Sequence, residues 1–231
     1  MLILAIDTAL DACSVAVLDT EAAELRAQEQ LLMKRGHAEA LMPMIARVMQ
    51  SAGLAFTALD RIAVTVGPGS FTGLRVGISA ARGLALAAGR PAVGLTTLSA
   101  YAATVVGQSK AAPVISAIDA RHDHVYFQIV AGDGSQLVRP RVASIDEAIA
   151  ASQFGAPHLV GNAANILAER WTKDSEQPVA VDAQPAPDIG WVAWLGAAAD
   201  PETSPARPFY LKAPDAKPPA QPPFAAQAAS S

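Results

Sequence analysis

Gly67-Pro68-Gly69-Ser70-Phe71-Thr72-Gly73-Leu74-Arg75 lies between an apolar run, Ile62-Ala63-Val64-Thr65-Val66, and a long alanine-rich segment. The order predicts a strand, a glycine loop and a helix. Glycines at such a junction let backbone amides approach a ligand or a neighbouring chain, and the free amides of a helix start attract anions. No Gly-Lys-Ser/Thr follows, so the loop is not a P-loop, and its glycines miss the dinucleotide-binding spacing. A tight turn packed beneath a sheet explains the spacing equally well.

Working outward, further short apolar runs bounded by turn residues predict strands at Leu2 to Asp7 and Ser14 to Leu18. From Gly36 to Gln50, Ala38, Leu41, Ile45, Val48 and Met49 recur at helical spacing, with Pro43 read as lying in the first turns. Val114-Ile115-Ser116-Ala117-Ile118-Asp119 repeats the look of Leu2 to Asp7, and Val125 to Val130 supplies a following strand. In both places an Asp closes an apolar strand, which suggests internal duplication. Later segments predict a helix at Ile145 to Ser152, a strand at His158 to Gly161, a helix at Ala163 to Trp171, and a final helix from Ile189 to Ala199. That last helix carries Trp191, Trp194 and Leu195 on one face.

The chain has 231 residues, 52% of them hydrophobic, and a formal charge of −4. That length supports two small lobes or one large α/β domain, and the acidic balance argues against a stand-alone RNA binder. The single cysteine, Cys13, cannot form an internal disulfide, and no basic-apolar leader precedes the first strand, so a cytoplasmic protein is expected. The apolar stretch Val76 to Ala88 is interrupted by Arg82 and Gly83 and falls short of the roughly 20 residues a membrane span requires.

No catalytic group and no metal ligand set stands out. Cys13 has no basic neighbour in sequence, which favours a small core residue over a nucleophile. Ser70 and Thr72 read as helix-capping hydroxyls. Asp7 and Asp119 read as turn formers at strand ends, with metal association as the competing reading. His37 starts a helix, at the wrong end for a favourable dipole interaction if charged, and reads as a solvent or partner-contact residue. His122 and His124 share a turn and leave their role open, and His158 carries no signal.

The N-terminal Ile6-Asp7-Thr8, the glycine junction and Ile118-Asp119-Ala120-Arg121, in this order, resemble the TsaB (YeaZ) family of tRNA threonylcarbamoyladenosine biosynthesis proteins, over nearly the whole chain to about Lys217. His122, Asp123 and His124 depart from the pattern. The resemblance implies an α/β fold with two related lobes of the actin, sugar-kinase and Hsp70 (ASKHA) type, mixed sheets flanked by helices. Residues 1–104 would form an N-terminal lobe with partner-binding helices and 105–215 a smaller C-terminal lobe, its last helix able to pack back on the first lobe. Residues 216–231 would form a flexible tail.

It also implies a non-catalytic subunit that binds and activates the TsaD transferase, with the TsaE ATPase, and that self-pairs when alone. The tRNA would be met mainly through these partners. The chain would need no cofactor by itself; ATP or ADP and a divalent metal would sit mainly on partners in the assembled complex. His37, Met44, Phe71, Leu74, Arg75, Gly77, Ile78 and Arg82 are the implied partner contacts. Asp7, Thr8, Gly67, Gly69, Ser70, Thr72, Asp119 and Arg121 would line a vestigial or ligand-binding cleft. Thr97 and Tyr101 fall where the TsaD relative carries two metal-binding histidines, and neither suits a transition metal. Two rival readings are an ATP-hydrolysing or phosphoryl-transfer enzyme using Asp7 and Asp119, and a peptidase, for which no activated nucleophile is found.

Overall fold

The computed structural model describes residues 1–107 and 112–212, so the tail expected from residue 216 lies outside it. Short apolar runs and one polar edge strand form a first sheet from β1 (Leu2–Asp7), β2 (Ala12–Asp19), β3 (Glu24–Leu32), β4 (Arg61–Gly67) and β5 (Ala92–Thr96). Its order is β3-β2-β1-β4-β5, antiparallel across β1, β2 and β3 and parallel across β1, β4 and β5. The edge strand β3 has no counterpart in the sequence reading.

A second sheet comprises β6 (Val114–Arg121), β7 (His124–Val130), β8 (Gln136–Ser144), β9 (His158–Val160) and β10 (Ala180–Asp182). Its order, β10-β9-β6-β7-β8, is that of the first sheet read from the other edge, with the same pattern of antiparallel and parallel pairs. The chain therefore adopts the expected α/β plan of two related mixed sheets flanked by helices.

Helix α1 (His37–Ser51) and helix α2 (Phe71–Ala88) cover one face of the first sheet. Leu41, Met44, Ile45 and Val48 meet Leu74, Ile78 and Ala81 there, over Leu4, Ile6, Val15 and Val17. Pro43 is the seventh residue of α1, beyond the first turn and exposed, so α1 forgoes one backbone hydrogen bond in its interior. Helix α3 (Thr97–Ala103) brings Leu98 and Tyr101 to the same core, which reaches Val114, Ile118 and Val160 of the second sheet. Helices α4 (Ile145–Ala150) and α5 (Ala164–Glu169) close a separate core of the second lobe around Phe127 and Ile129.

The last helix, α6 (Ile189–Ala198), returns to the other face of the first sheet. There Ile189, Val192 and Ala193 pack on Ile3, Ala5, Ala16, Leu18 and Ala63. Gly196 permits the close approach, since a Cβ there would overlap that of Ala63. Arg61 donates to the carbonyls of Gly196, Ala197 and Ala199 at 2.8, 3.0 and 2.5 Å, placing a cation at the negative end of α6. Trp191 and Trp194 face outward. Among the described residues no helix is long and apolar enough to cross a membrane.

Candidate functional site: an interlobe cleft and the helical face beside it

The glycine junction folds as expected, with β4 ending at Gly67, α2 starting at Phe71, and Ser70 capping α2 by accepting from the Gly73 amide at 3.3 Å. Its glycines, however, serve the chain's own backbone. A Cβ on Gly69 would overlap the Ala9 carbonyl oxygen, and one on Gly73 that of Thr8. The Ser70 amide donates to Ala9 at 2.7 Å, and the Thr8 hydroxyl donates to the Gly73 carbonyl at 2.7 Å. The loop is thus sewn onto the β1–β2 turn, which leaves it no open cradle for a phosphate.

Asp7 lies beneath this seam, fully buried. Its Oδ1 accepts from the Thr65 hydroxyl and from the Ala9 amide at 3.1 Å, while Oδ2 has no partner. Burial pushes its carboxyl up to about 6, against the opposing pull of Thr65, Ala9 and His37. Thr65, the lone polar residue within the run Ile62 to Val66, was the available sequence signal for this pair.

Between the lobes lies a cleft of about 530 Å³. Gly69, Ser70, Asp119 and Arg121 reach it, together with Tyr210 of the terminal segment Arg207 to Lys212, whose resemblance to the family's tyrosine-containing segment implied a docked position, and Asn162, which had no sequence signal. Asp7, Thr8, Gly67 and Thr72 do not line it; the first three are buried below the surface and Thr72 is exposed on α2. Asp119 sits at the exposed end of β6, its amide donating to Asn162 Oδ1 at 2.9 Å and its Oδ1 accepting from the Arg121 amide at 2.7 Å. Arg121, His122 and Asp123 all adopt positive φ (61°, 53° and 57°), forming the hairpin turn into β7. His124 Nδ1 donates to the His122 carbonyl at 2.6 Å, and Asp123 pairs with Arg170 at 2.7 Å. Among the described residues no three His, Cys, Asp or Glu side chains gather as a metal site.

Other candidates are turned inward. Cys13 is buried, which, with the nearby charges of Asp7 and Glu29, pushes its thiol up to about 11. Thr97 is buried, and the Tyr101 hydroxyl donates to the Gln184 carbonyl at 2.8 Å, with burial raising its pKa.

The expected partner contacts divide. His37 is only 8% exposed and donates through Nε2 to the Leu10 carbonyl at 3.1 Å, so it closes the core rather than meeting solvent. Met44, Leu74 and Ile78 lie in that core, and Gly77 faces Thr8, whose hydroxyl a Cβ would overlap. The ridge Gly73, Gly77, Ala81 and Ala85 therefore fits α2 to its own sheet, and these five expected contacts are corrected to internal packing. Phe71, Arg75 and Arg82 do stand outward, in a line with Ser79 and Leu86, the last 85% exposed. On α1 the outward face carries Met42, 48% exposed.

At the cleft's edge the segment from Ser204 to Lys212 forms a strap. The Gly94 amide donates to the Ser204 carbonyl at 2.9 Å, and the Phe209 amide to that of Val66 at 2.8 Å. Gly94 and Gly67 give the strap room, since Cβ atoms there would press on the carbonyls of Pro205 and Phe209. The strap ends with the Tyr210 ring against Phe71, centroids 5.3 Å apart, while the Arg75 guanidinium lies 3.8 Å from the Phe71 centroid.

Comparison with known proteins places this architecture. The family model described as TsaD, tRNA N6-adenosine threonylcarbamoyltransferase, matches residues 30–179. The tRNA threonylcarbamoyladenosine biosynthesis protein TsaB of Haemophilus influenzae is 39% identical over 142 residues, 62% of this chain and 56% of that protein. The TsaB of Escherichia coli K12 is 40% identical over 127 residues, 55% of this chain and 54% of that one. The chain thus spans about half the length of these curated relatives. The structure of YeaZ from Pseudomonas aeruginosa superposes with a TM-score of 0.75 at 30% identity, covering 91% of this chain and 99% of that one. With the family model matched over residues 30–179 and a solved relative 30% identical and covered over 99% of its length, the chain belongs to the TsaB/YeaZ family.

Proposed function

We propose that this chain is a non-catalytic subunit in the N6-threonylcarbamoyl modification of the adenosine adjacent to the anticodon of tRNAs. It binds and activates a TsaD-type transferase, with a TsaE-type ATPase as third partner. The observation that carries this reading is the outward face of α2, where Phe71 and Leu86 are exposed in line with Arg75 and Arg82, together with the exposed Met42 of α1. Large apolar side chains edged by arginine suit a helix-on-helix interface. The same surface serves self-pairing when no partner is present. With a formal charge of −4, the chain leaves most tRNA contacts to its partners.

Supporting the non-catalytic part, the candidate nucleophiles are occupied: Cys13 is buried with a raised pKa, and Ser70 caps a helix. Burial of Asp7 away from the cleft weighs against a phosphoryl-transfer enzyme built on Asp7 and Asp119. ATP or ADP and a divalent metal are accordingly assigned to the partners.

The test is reconstitution of threonylcarbamoyl transfer from a purified TsaD, TsaE, the adenylate-forming enzyme, ATP, threonine, bicarbonate and tRNA. Modified tRNA is expected only with this chain present, unaffected by Asp119→Asn and lost with Leu86→Asp. Equal product without the chain sinks the proposal.

A further inference from the structure

Helical spacing sets Phe71, Arg75, Ser79, Arg82 and Leu86 in a single outward line along α2. Helix α2 contains no acidic residue, and among the described residues neither Arg75 nor Arg82 has an ion-pair partner, whereas Arg26, Arg47 and Arg170 each have at least one. Seven residues at 1.5 Å per residue separate the backbone positions of the two arginines by about 10 Å along the helix, two turns. A guanidinium fork matches a carboxylate with two parallel hydrogen bonds.

One contact biases the rotamer of Arg75. Its guanidinium rests on Phe71, one turn back on the same face, and Phe71 is in turn held by Tyr210 from the other end of the sequence. Tyr210 is placed by the strap, whose register the Gly94–Ser204 and Phe209–Val66 hydrogen bonds fix. The strap therefore reaches the start of the very helix face that the proposed function assigns to a partner.

We propose that the strap is part of the docking surface. Tyr210 is a positioning residue that holds Phe71, and through it orients Arg75, so that Arg75 offers an oriented guanidinium fork to a carboxylate of a partner helix, with Arg82 two turns further along α2 to meet a second. This rests on the subunit reading above. The occupant is a protein rather than RNA, because the line begins on Phe71 and ends on Leu86, 39% and 85% exposed, apolar groups that a phosphate backbone would leave wet.

The experiment is titration calorimetry of the full chain with a purified TsaD-type partner at low and high salt. Wild type is expected to bind, Tyr210→Ala to bind at least tenfold more weakly, and Tyr210→Phe to stay within twofold. Arg75→Gln and Arg82→Gln should each flatten the salt dependence. In the free chain, the NMR signal of the Arg75 Nε–H should shift on Tyr210→Ala but not on Tyr210→Phe, with unchanged melting temperatures. Wild-type affinity in Tyr210→Ala, or an unmoved Arg75 signal, overturns the strap's role. Unchanged salt dependence in both arginine variants, or tRNA binding by the chain alone that these variants abolish, overturns the carboxylate assignment. All four of these leave the subunit reading intact; failure of wild type to bind overturns that reading instead.

Discussion

Asp7 and Asp119 close the first strands of two sheets that share one strand order, yet one is sealed and the other exposed. In the first lobe the loop after β4 folds back over the β1–β2 turn, and Gly69 and Gly73 let it come down onto the carbonyls of Ala9 and Thr8. In the second lobe the corresponding connection, from β9 to α5, makes the same close approach through Gly161, where a Cβ would overlap the Ala117 carbonyl oxygen. There the contact falls two residues before the aspartate instead of one and two residues after it, so Asp119 stays at the mouth of the cleft. The duplicated plan thus sets where an aspartate sits, and the seat of one glycine loop decides whether it meets water.

The comparison breaks first if the glycines are not equivalent. Gly73→Val and Gly161→Val are each expected to destabilise the chain by about 4 kcal/mol or more, because the obstacle is backbone rather than a movable side chain. Urea unfolding followed by circular dichroism reads this directly, and tolerance at Gly161 alone would mean that the second lobe does not use the device.

Next in size is a pH effect confined to the sealed aspartate. The folded-state pKa of Asp7 is raised from 3.8 to about 6, so between these values the folded chain holds a proton that the unfolded chain releases. Its contribution is full below about pH 4 and lost as pH rises through 6, a swing of about 3 kcal/mol. Asp7→Asn should flatten the stability profile between pH 4 and 7; a profile unchanged by the substitution would show that the carboxyl is not sealed.

A smaller difference lies at the two helix starts. Ser70→Ala removes a side-chain cap and should cost about 1 kcal/mol, whereas the residue at the N-cap of α5 is Ala163, with no such cap to lose. At the bottom of the scale, Asp119→Asn should alter stability at pH 7 by less than about 0.5 kcal/mol. A larger loss at Asp119 would place it inside the structural frame after all.

The sequence exposed the strand ends and the duplication because apolar runs bounded by turn residues are local signals, and β1, β4 and β6 were readable from them. Strand β3 was not: Glu24, Arg26, Gln28, Glu29 and Gln30 leave it without an apolar alternation, and only pairing with β2 defines it. Periodicity also shows which residues of α2 share a side without saying which side faces in. Deciding that Gly77 looks inward required the Thr8 hydroxyl, 69 positions earlier in sequence. Tyr210 and Asn162 reach the cleft from segments remote from the glycine junction, where no spacing rule connects them.

The packing of α6 has a kinetic consequence. Ile3, Ala5, Ala16 and Leu18 wait for cover from Ile189, Val192 and Ala193, so a growing chain emerging from the ribosome carries a bare apolar sheet face until nearly 200 residues have been made. Contacts of such long sequence separation slow folding and lengthen exposure to aggregation. The first lobe to be synthesised is therefore among the last to be finished, and chaperones would meet it in that state.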